Sequence, residues 1–316
     1  MRKLTIARSA DEMLAMRPAW DSLARDAGHT IFQSFDWNHA AARIFATVQM
    51  PFVVMAESDS GLAIIPACID VLAQRLSFLG EELFDYRHPI SSGSDSVLSE
   101  AWRAVGDFGA KHGLGFGSHS VRGEVASFFC LVPFTSAPCI LASDLPAFHH
   151  PRLALNMRRL LRAGGALRTY FGNDSGVLKN IYTLKSQEPG SLFVDPLRIQ
   201  MLWAMADTAG KDCEVFTLEQ QSTLVAALVT FRDHNWRRFY TTYYSEAWAR
   251  YSPGLTLLYH VVRESLELGI DCDFMTGAQP YKLRLATNQV PLYRINASPE
   301  KVRAAHVEPV VVGSRS

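Results

Sequence analysis

One stretch, Arg238 to Arg284, constrains this chain more than any other. Its pattern predicts a polar-tipped strand over Arg238–Tyr244. A turn then leads into Ser252-Pro253-Gly254, which opens an apolar-faced helix. A short strand follows at Cys272-Asp273-Phe274, and then the cluster Gly277-Ala278-Gln279-Pro280-Tyr281-Lys282. A strand that feeds a helix through a Ser/Gly turn aims backbone N–H groups outward at the positive end of the helix dipole, which suits a phosphate or pyrophosphate. A tyrosine and a lysine returning just after the next strand suit chemistry beside that phosphate.

The rest of the chain alternates helix and strand. A capping box, Ser9 with Glu12, starts a helix carrying Met13, Met16, Trp20 and Leu23. A second helix begins at Ser34. Strands are predicted at Phe52–Ala56, Leu62–Val71 and Leu76–Leu79, then a helix over Val97–His112 and a strand at Leu114–Ser118. The segment Ala142–Pro151 has two prolines and no periodicity, which places a division near residue 145. Beyond it come a basic helix (Arg152–Ala163), a strand (Ala166–Phe171), a helix near Val177–Lys185, and a helix capped by Asp195 with Pro196 first. Strands at Cys213–Leu218 and Thr223–Phe231 follow, the second turning at Asp233-His234-Asn235 into Arg238–Tyr244. The closing strand is Pro291–Asn296. The tail from Glu300 is polar except for Val310-Val311-Val312. Hairpins mixed with crossovers mean an α/β chain with a mixed sheet. Both halves read alike in outline, without a sequence repeat.

Composition narrows the function. The chain has 316 residues, 48% hydrophobic and 20% charged, with zero formal net charge and a pI near 7.1. It can bury a proper core, and a neutral balance disfavours a nucleic-acid partner. No apolar run is long enough for a membrane span. The N-terminus has no apolar core of a secretory signal, so the cytoplasm is expected. The five cysteines are scattered, with no Cys-x-x-Cys, and read as small hydrophobes in a reducing compartment. His149-His150 has no partners at metal spacing, so no metal is expected.

The run Tyr244…Tyr251-Ser252-Pro253-Gly254…Asp273-Phe274…Gly277…Tyr281-Lys282 resembles the C-terminal signature of the GNAT acyltransferase superfamily, within its CelD-like, FemAB-related branch. Phe32-Gln33-Ser34 with Trp37, Leu76–Gly80 with Asp85-Tyr86, and Asn156-Met157-Arg158-Arg159 are similar to that branch's earlier segments. The resemblance implies two tandem GNAT-like lobes with mixed, mostly antiparallel sheets. Residues 1–145 would form a degenerate acceptor-side lobe, and residues 146–316 the lobe with the donor site. It implies an N-acyltransferase using acyl-CoA, with acetyl-CoA the expected co-substrate and a small-molecule or cell-envelope amine as acceptor. Arg250-Tyr251-Ser252-Pro253-Gly254 departs from the better-known donor loop by placing its glycine one position late and lacking a second small residue. That leaves two alternatives: an aminoacyl-tRNA-dependent FemAB-type transferase, or an inactive subunit of a polysaccharide-producing system.

Within that resemblance Ser252, Gly254 and Leu255 would hold the donor through backbone N–H groups, and Arg250 would pair with a phosphate; the plain reading is an ordinary helix cap. Tyr281 would protonate the leaving thiolate, Asp273 would take a proton from the attacking amine, and Lys282 would hold a phosphate or carboxylate. Each has a structural reading too: a packed aromatic, a turn cap, a surface lysine. Glu246 and His234 are secondary base candidates. Asp85, Tyr86, Arg87, Tyr244 and Arg158 are candidate substrate contacts, with Arg159 and Arg162 near the last. The lack of a Gly-x-Ser-x-Gly elbow fits direct attack by the amine.

Overall fold

The computed structural model describes residues 3–24, 29–80, 83–123, 125, 129–172 and 174–304. Val310-Val311-Val312 lies outside them. The chain packs as two units, Met1–Thr135 with Pro291–Ser316, and Ser136–Val290.

The first unit holds, in order, β1 (Lys3–Ala7), α1 (Ala10–Met13), α2 (Arg17–Leu23), α3 (Phe35–Ile44), β2 (Gln49–Ser58), β3 (Gly61–Asp70), β4 (Arg75–Phe78), β5 (Ile90–Gly93), α4 (Asp95–His112) and β6 (Phe116–Val121). Strand β7 (Val132–Ile140) contains the first point of division. The second unit continues with α5 (Pro151–Arg162), β8 (Gly165–Phe171), α6 (Ser175–Ser186), α7 (Pro196–Ala209), β9 (Cys213–Gln220), β10 (Thr223–Asp233), β11 (Trp236–Tyr244), α8 (Pro253–Glu267), β12 (Asp271–Asp273) and α9 (Pro280–Leu285). The other point of division falls in β13 (Asn288–Ala297), and α10 (Pro299–Arg303) closes the first unit.

Strand order reveals a likeness between the units that the residues hide. The first unit runs β1-β2-β3-β4-β6-β13, with β5 also on β3; the second runs β8-β9-β10-β11-β12-β7. Neighbours pair antiparallel except at one step in each, β4–β6 and β11–β12. Each unit therefore follows one plan: a strand, helices, three antiparallel strands, a helix, and a parallel strand. The last strand of the first unit comes from residues 293–297, after the whole second unit. A division at residue 145 differs on this point, because register along β13 places the chain's end with its beginning. Pairing is not visible in a single strand's composition.

Local chemistry sets the elements. Ser34 Oγ caps α3, and the Asp195 side chain accepts from Leu197 N–H with Pro196 at the first position of α7. The helix expected over residues 9–23 is broken instead. Leu14–Met16 is a 3₁₀ turn, and Pro18 opens α2; proline has no N–H to continue the ladder. Strand β10 is buried along nearly its whole length, as a central strand covered on both faces must be. In the first unit Trp102 of α4 packs edge-on against Phe116 at 5.2 Å and Phe129 at 4.8 Å. Among the described residues, no helix is long and apolar enough to cross a membrane. Four cysteines are buried and Cys130 is exposed, all with free thiols.

Gly106 on α4 faces the backbone of α10: a Cβ there would meet Arg303 N at 2.3 Å. Gly106→Ala should cost roughly 1–3 kcal/mol in urea unfolding, because main chain rather than a side-chain tip must move. Lys111→Ala on the same helix should change stability by less than about 0.5 kcal/mol.

Candidate functional site

The second unit's site begins where β11 and β12 part. They pair in parallel over only three positions, Trp236–Asp271, Arg237–Cys272 and Arg238–Asp273. Beyond Arg238, β11 continues to Tyr244 while β12 ends at Asp273. Arg238 closes the vertex: Nε donates to Asp233 Oδ2 at 2.7 Å and Nη1 donates to Asp273 Oδ2, with all three side chains buried. Asp273 Oδ1 also accepts from Met275 N–H at 2.8 Å. The candidate base is thus engaged on both oxygens, which suits holding the vertex and the turn after it.

Past the end of that pairing, β11 leads into the turn before α8, where the sequence places the donor. Residues Glu246–Tyr251 form a 3₁₀ segment, and Ser252 follows with φ 47° and ψ 56°. Two donors clamp the Tyr251 carbonyl: Asn156 Nδ2 at 3.0 Å and Thr256 Oγ1 at 2.9 Å. The Ser252 amide is spent, donating to Ala249 O at 2.8 Å, so it is not a ligand donor as expected from the sequence. Thr256 N–H returns to Ser252 O. That leaves Gly254 and Leu255, second and third in α8, whose amides have no acceptor within the helix. The Ser252 side chain does not cap them. Gly254 is tightly placed, since a Cβ would lie 3.3 Å from the Tyr244 side chain. Tyr244 is half exposed, 51%, at the rim. Arg250 is exposed and lies over the Tyr251 ring, 4.6 Å from its centre.

Tyr281, on α9, lies beside the Thr242 side chain of β11. Burial raises the phenol's pKa above its ordinary value, and the Thr242 bond partly offsets this. At 38% exposure the ring still reaches solvent. Lys282 points the other way. It is buried, and Nζ donates to Thr276 O at 2.6 Å and Met275 O at 3.4 Å, so it braces the turn after β12.

Other candidates sit elsewhere. His234 is in the β10–β11 turn, at the opposite end of β11 from Tyr244. Glu246 is exposed at the start of the 3₁₀ segment. Arg158 lines an open groove of about 660 Å³ with Tyr259, His260, Arg263 and Glu267, alongside the middle and end of α8 rather than its N-terminus. His150 packs on Tyr259, and no group of metal-ligating side chains occurs among the described residues. Sequence reasoning missed Asn156, Arg238 and Thr242 as parts of the site. In the sequence Asn156 reads only as part of a basic helix, and no local pattern says which carbonyl it reaches.

The first unit fills its own gap. Its parallel step β4–β6 is a single pair, Leu76–Phe116. Arg87 then bridges Val121 farther along β6, with Arg87 N–H donating to Ser120 O at 3.3 Å. Tyr86 is buried on Phe32, its ring centre 5.7 Å away, and Asp85 is half-buried beside it. In the second unit no isolated backbone bridge occupies the corresponding gap among the described residues.

A sheet with one splayed parallel step, and a helix opening at a glycine turn beside it, defines the GNAT-type acyltransferase fold. Residues 152–283 match the family model of the acetyltransferase (GNAT) domain. The fold is similar over nearly the whole chain to L-PGS from Bacillus licheniformis (TM-score 0.59, 10% identity, 91% of this chain and 94% of that one). It is similar to FemX (TM-score 0.58, 9% identity, 88% and 95%). It is also similar to a tandem GNAT protein from the clavulanic acid biosynthesis pathway (TM-score 0.52, 12% identity, 95% and 99%). At such identities the likeness is one of fold. No curated protein matches the chain.

Removing the charge of Asp273 would leave Arg238 half-paired and buried. Asp273→Asn should therefore lower stability by about 3–5 kcal/mol in urea unfolding, where a purely catalytic carboxylate would leave stability unchanged. In the first unit, burial and then Arg87, Arg294 and Arg75 depress His119 from 6.5 to about 4. The unfolded chain takes up that proton first. The stability contributed by the neutral ring is complete above pH 6.5 and is lost as pH falls toward about 4. His119→Gln should lose less stability across that window in thermal melts.

Proposed function

We propose that this protein is an N-acyltransferase that moves an acyl group from acyl-CoA to an amine by direct attack. The observation that carries this reading is the pair of uncapped amides, Gly254 and Leu255, at the opening of α8 beside the parted strands. They fit a pyrophosphate, and Arg250 is exposed on the same turn to meet a second phosphate charge. A GNAT domain implies acyl-CoA in general, and acetyl-CoA is the first donor to test. Bound there, the donor supplies a thioester carbonyl for attack.

The chain's own residues do the rest. The clamp on the Tyr251 carbonyl holds the turn, so little order is lost on binding. The β11 edge beyond Arg238 offers main-chain N–H groups that can polarise a carbonyl. Tyr281, with its pKa raised by burial, keeps its proton until a leaving thiolate accepts it. Tyr244 borders the acceptor side. Asp273 and Lys282 act as positioning residues, because the vertex and the following turn engage their charged atoms. The acceptor is an amine of small-molecule or cell-envelope type. Tyr86 and Arg87 are buried within the first unit and are left out of its contacts. The cytoplasm remains the expected compartment.

Thermal melts with CoA and acetyl-CoA test the reading. Ligand at about 100 times Kd should add about 2.7 kcal/mol of stability. Gly254→Val should abolish the shift, by pressing a side chain on Tyr244 and shielding the amides. Tyr281→Phe should keep the shift, while kcat toward an amine found by mass-spectrometric screening falls roughly 100-fold. A shift with aminoacyl-tRNA and none with CoA would replace this reading with the FemAB-type one. No shift with either would point to a non-catalytic subunit.

A further inference from the structure

The groove of about 660 Å³ between α5 and α8 lies wholly within the second unit, and its lining includes none of the residues that open α8. Its floor is apolar. Met157 on α5 and Tyr259 on α8 are both buried there. The Phe148 ring stacks on Tyr259 at 5.3 Å and the His150 ring meets it edge-on at 5.8 Å, so the floor is held in place by packing. Arg263 and Glu267, one turn apart on α8, line the groove as a closed pair: Nε donates to Oε1 at 2.9 Å. The Tyr259 hydroxyl lies beside the same guanidinium.

That pairing leaves two lining charges over. Arg158 stands on α5 and Glu264 on α8, and both are exposed. Neither side chain forms an ion pair or hydrogen bond with any described residue, so they are not paired with each other. One cation and one anion thus border the same apolar floor from different helices. We propose that this groove binds a small zwitterion, its carboxylate on Arg158, its ammonium on Glu264 and its apolar middle on Met157 and Tyr259. The site is separate from acyl transfer and does not depend on it. A singly charged ligand would match one wall and oppose or ignore the other, whereas a ligand with both charges matches both. An exposed ion pair alone is worth little, so binding needs both ends engaged over the apolar floor. The volume falls within the range of small-molecule clefts, about 300–1,000 Å³. The ligand class is an amino-carboxylate: a free ammonium and a free carboxylate joined by a short chain.

NMR of the methyl-labelled Met157 side chain in the full chain tests this. The probes are glycine, 4-aminobutyrate and triglycine, whose charges lie at increasing separation, at matched ionic strength. At least one should shift the Met157 signal saturably. For that probe, Arg158→Gln and Glu264→Gln should each weaken binding roughly fivefold, and forms with the amine acetylated or the carboxylate amidated should bind more weakly by the same factor. Both substituted side chains are exposed, so neither variant should change stability by more than about 0.5 kcal/mol in urea unfolding. Gly254→Val should leave the response intact, which separates this site from the opening of α8. The proposal falls if no zwitterion shifts Met157, if both variants bind like the parent, if a singly charged form binds as tightly, or if Gly254→Val removes the response. A Met157 signal that moves with protein concentration alone would assign the groove to a second copy of the chain and overturn the proposal.

Discussion

The second unit is organised around one buried cation. Arg238 is held by Asp233 on one side and Asp273 on the other, in a place where all three are shielded from water. Taking charges out of water costs several kcal/mol per ion, so such a triad persists only where geometry is tightly met. Asp233 ends β10, Arg238 lies early on β11, and Asp273 ends β12. The cation therefore ties three neighbouring strands at one level and fixes where the parallel pair stops. Beyond it the strands are free to diverge. Thr242, which meets Tyr281, stands four residues past this point, about 13 Å along the strand.

The turn before α8 is built by the same economy of polar groups. A serine in left-handed backbone, a proline that needs no donor and a glycine with no side chain make an abrupt entry to α8. The turn is closed on itself through Ser252 N–H and the doubly bonded Tyr251 carbonyl. The amides that remain are those no residue of the helix can satisfy. Rigid scaffolding thus leaves a small set of donors aimed outward.

The two units share one plan. Both keep the same strand order and the same parallel step. In one, Arg87 bridges to Val121 beyond the parallel pair; in the other, no isolated bridge follows it among the described residues. In the first unit His119 is kept neutral by its burial and by the surrounding guanidiniums.

Much of this was legible in the residues. The Ser252-Pro253-Gly254 opening, the caps at Ser34 and Asp195, and the hairpin turning at Asp233–Asn235 are written in local chemistry, because turn and cap residues act within a few positions. The partners that decide each role were not legible. Whether Asp273 is a base or an anchor depends on Arg238, thirty-five residues away. Whether Lys282 meets a ligand or two carbonyls depends on how α9 docks. The sequence alone therefore determined the class of fold and the place of the turn that opens α8, through periodicity and backbone preference. Only tertiary structure decided which amides are left open, which charges are already matched, and which of the two gaps is filled. Hydrogen bonds and ion pairs are contests among groups distant in the chain, and their outcome exists only once the strands are in register.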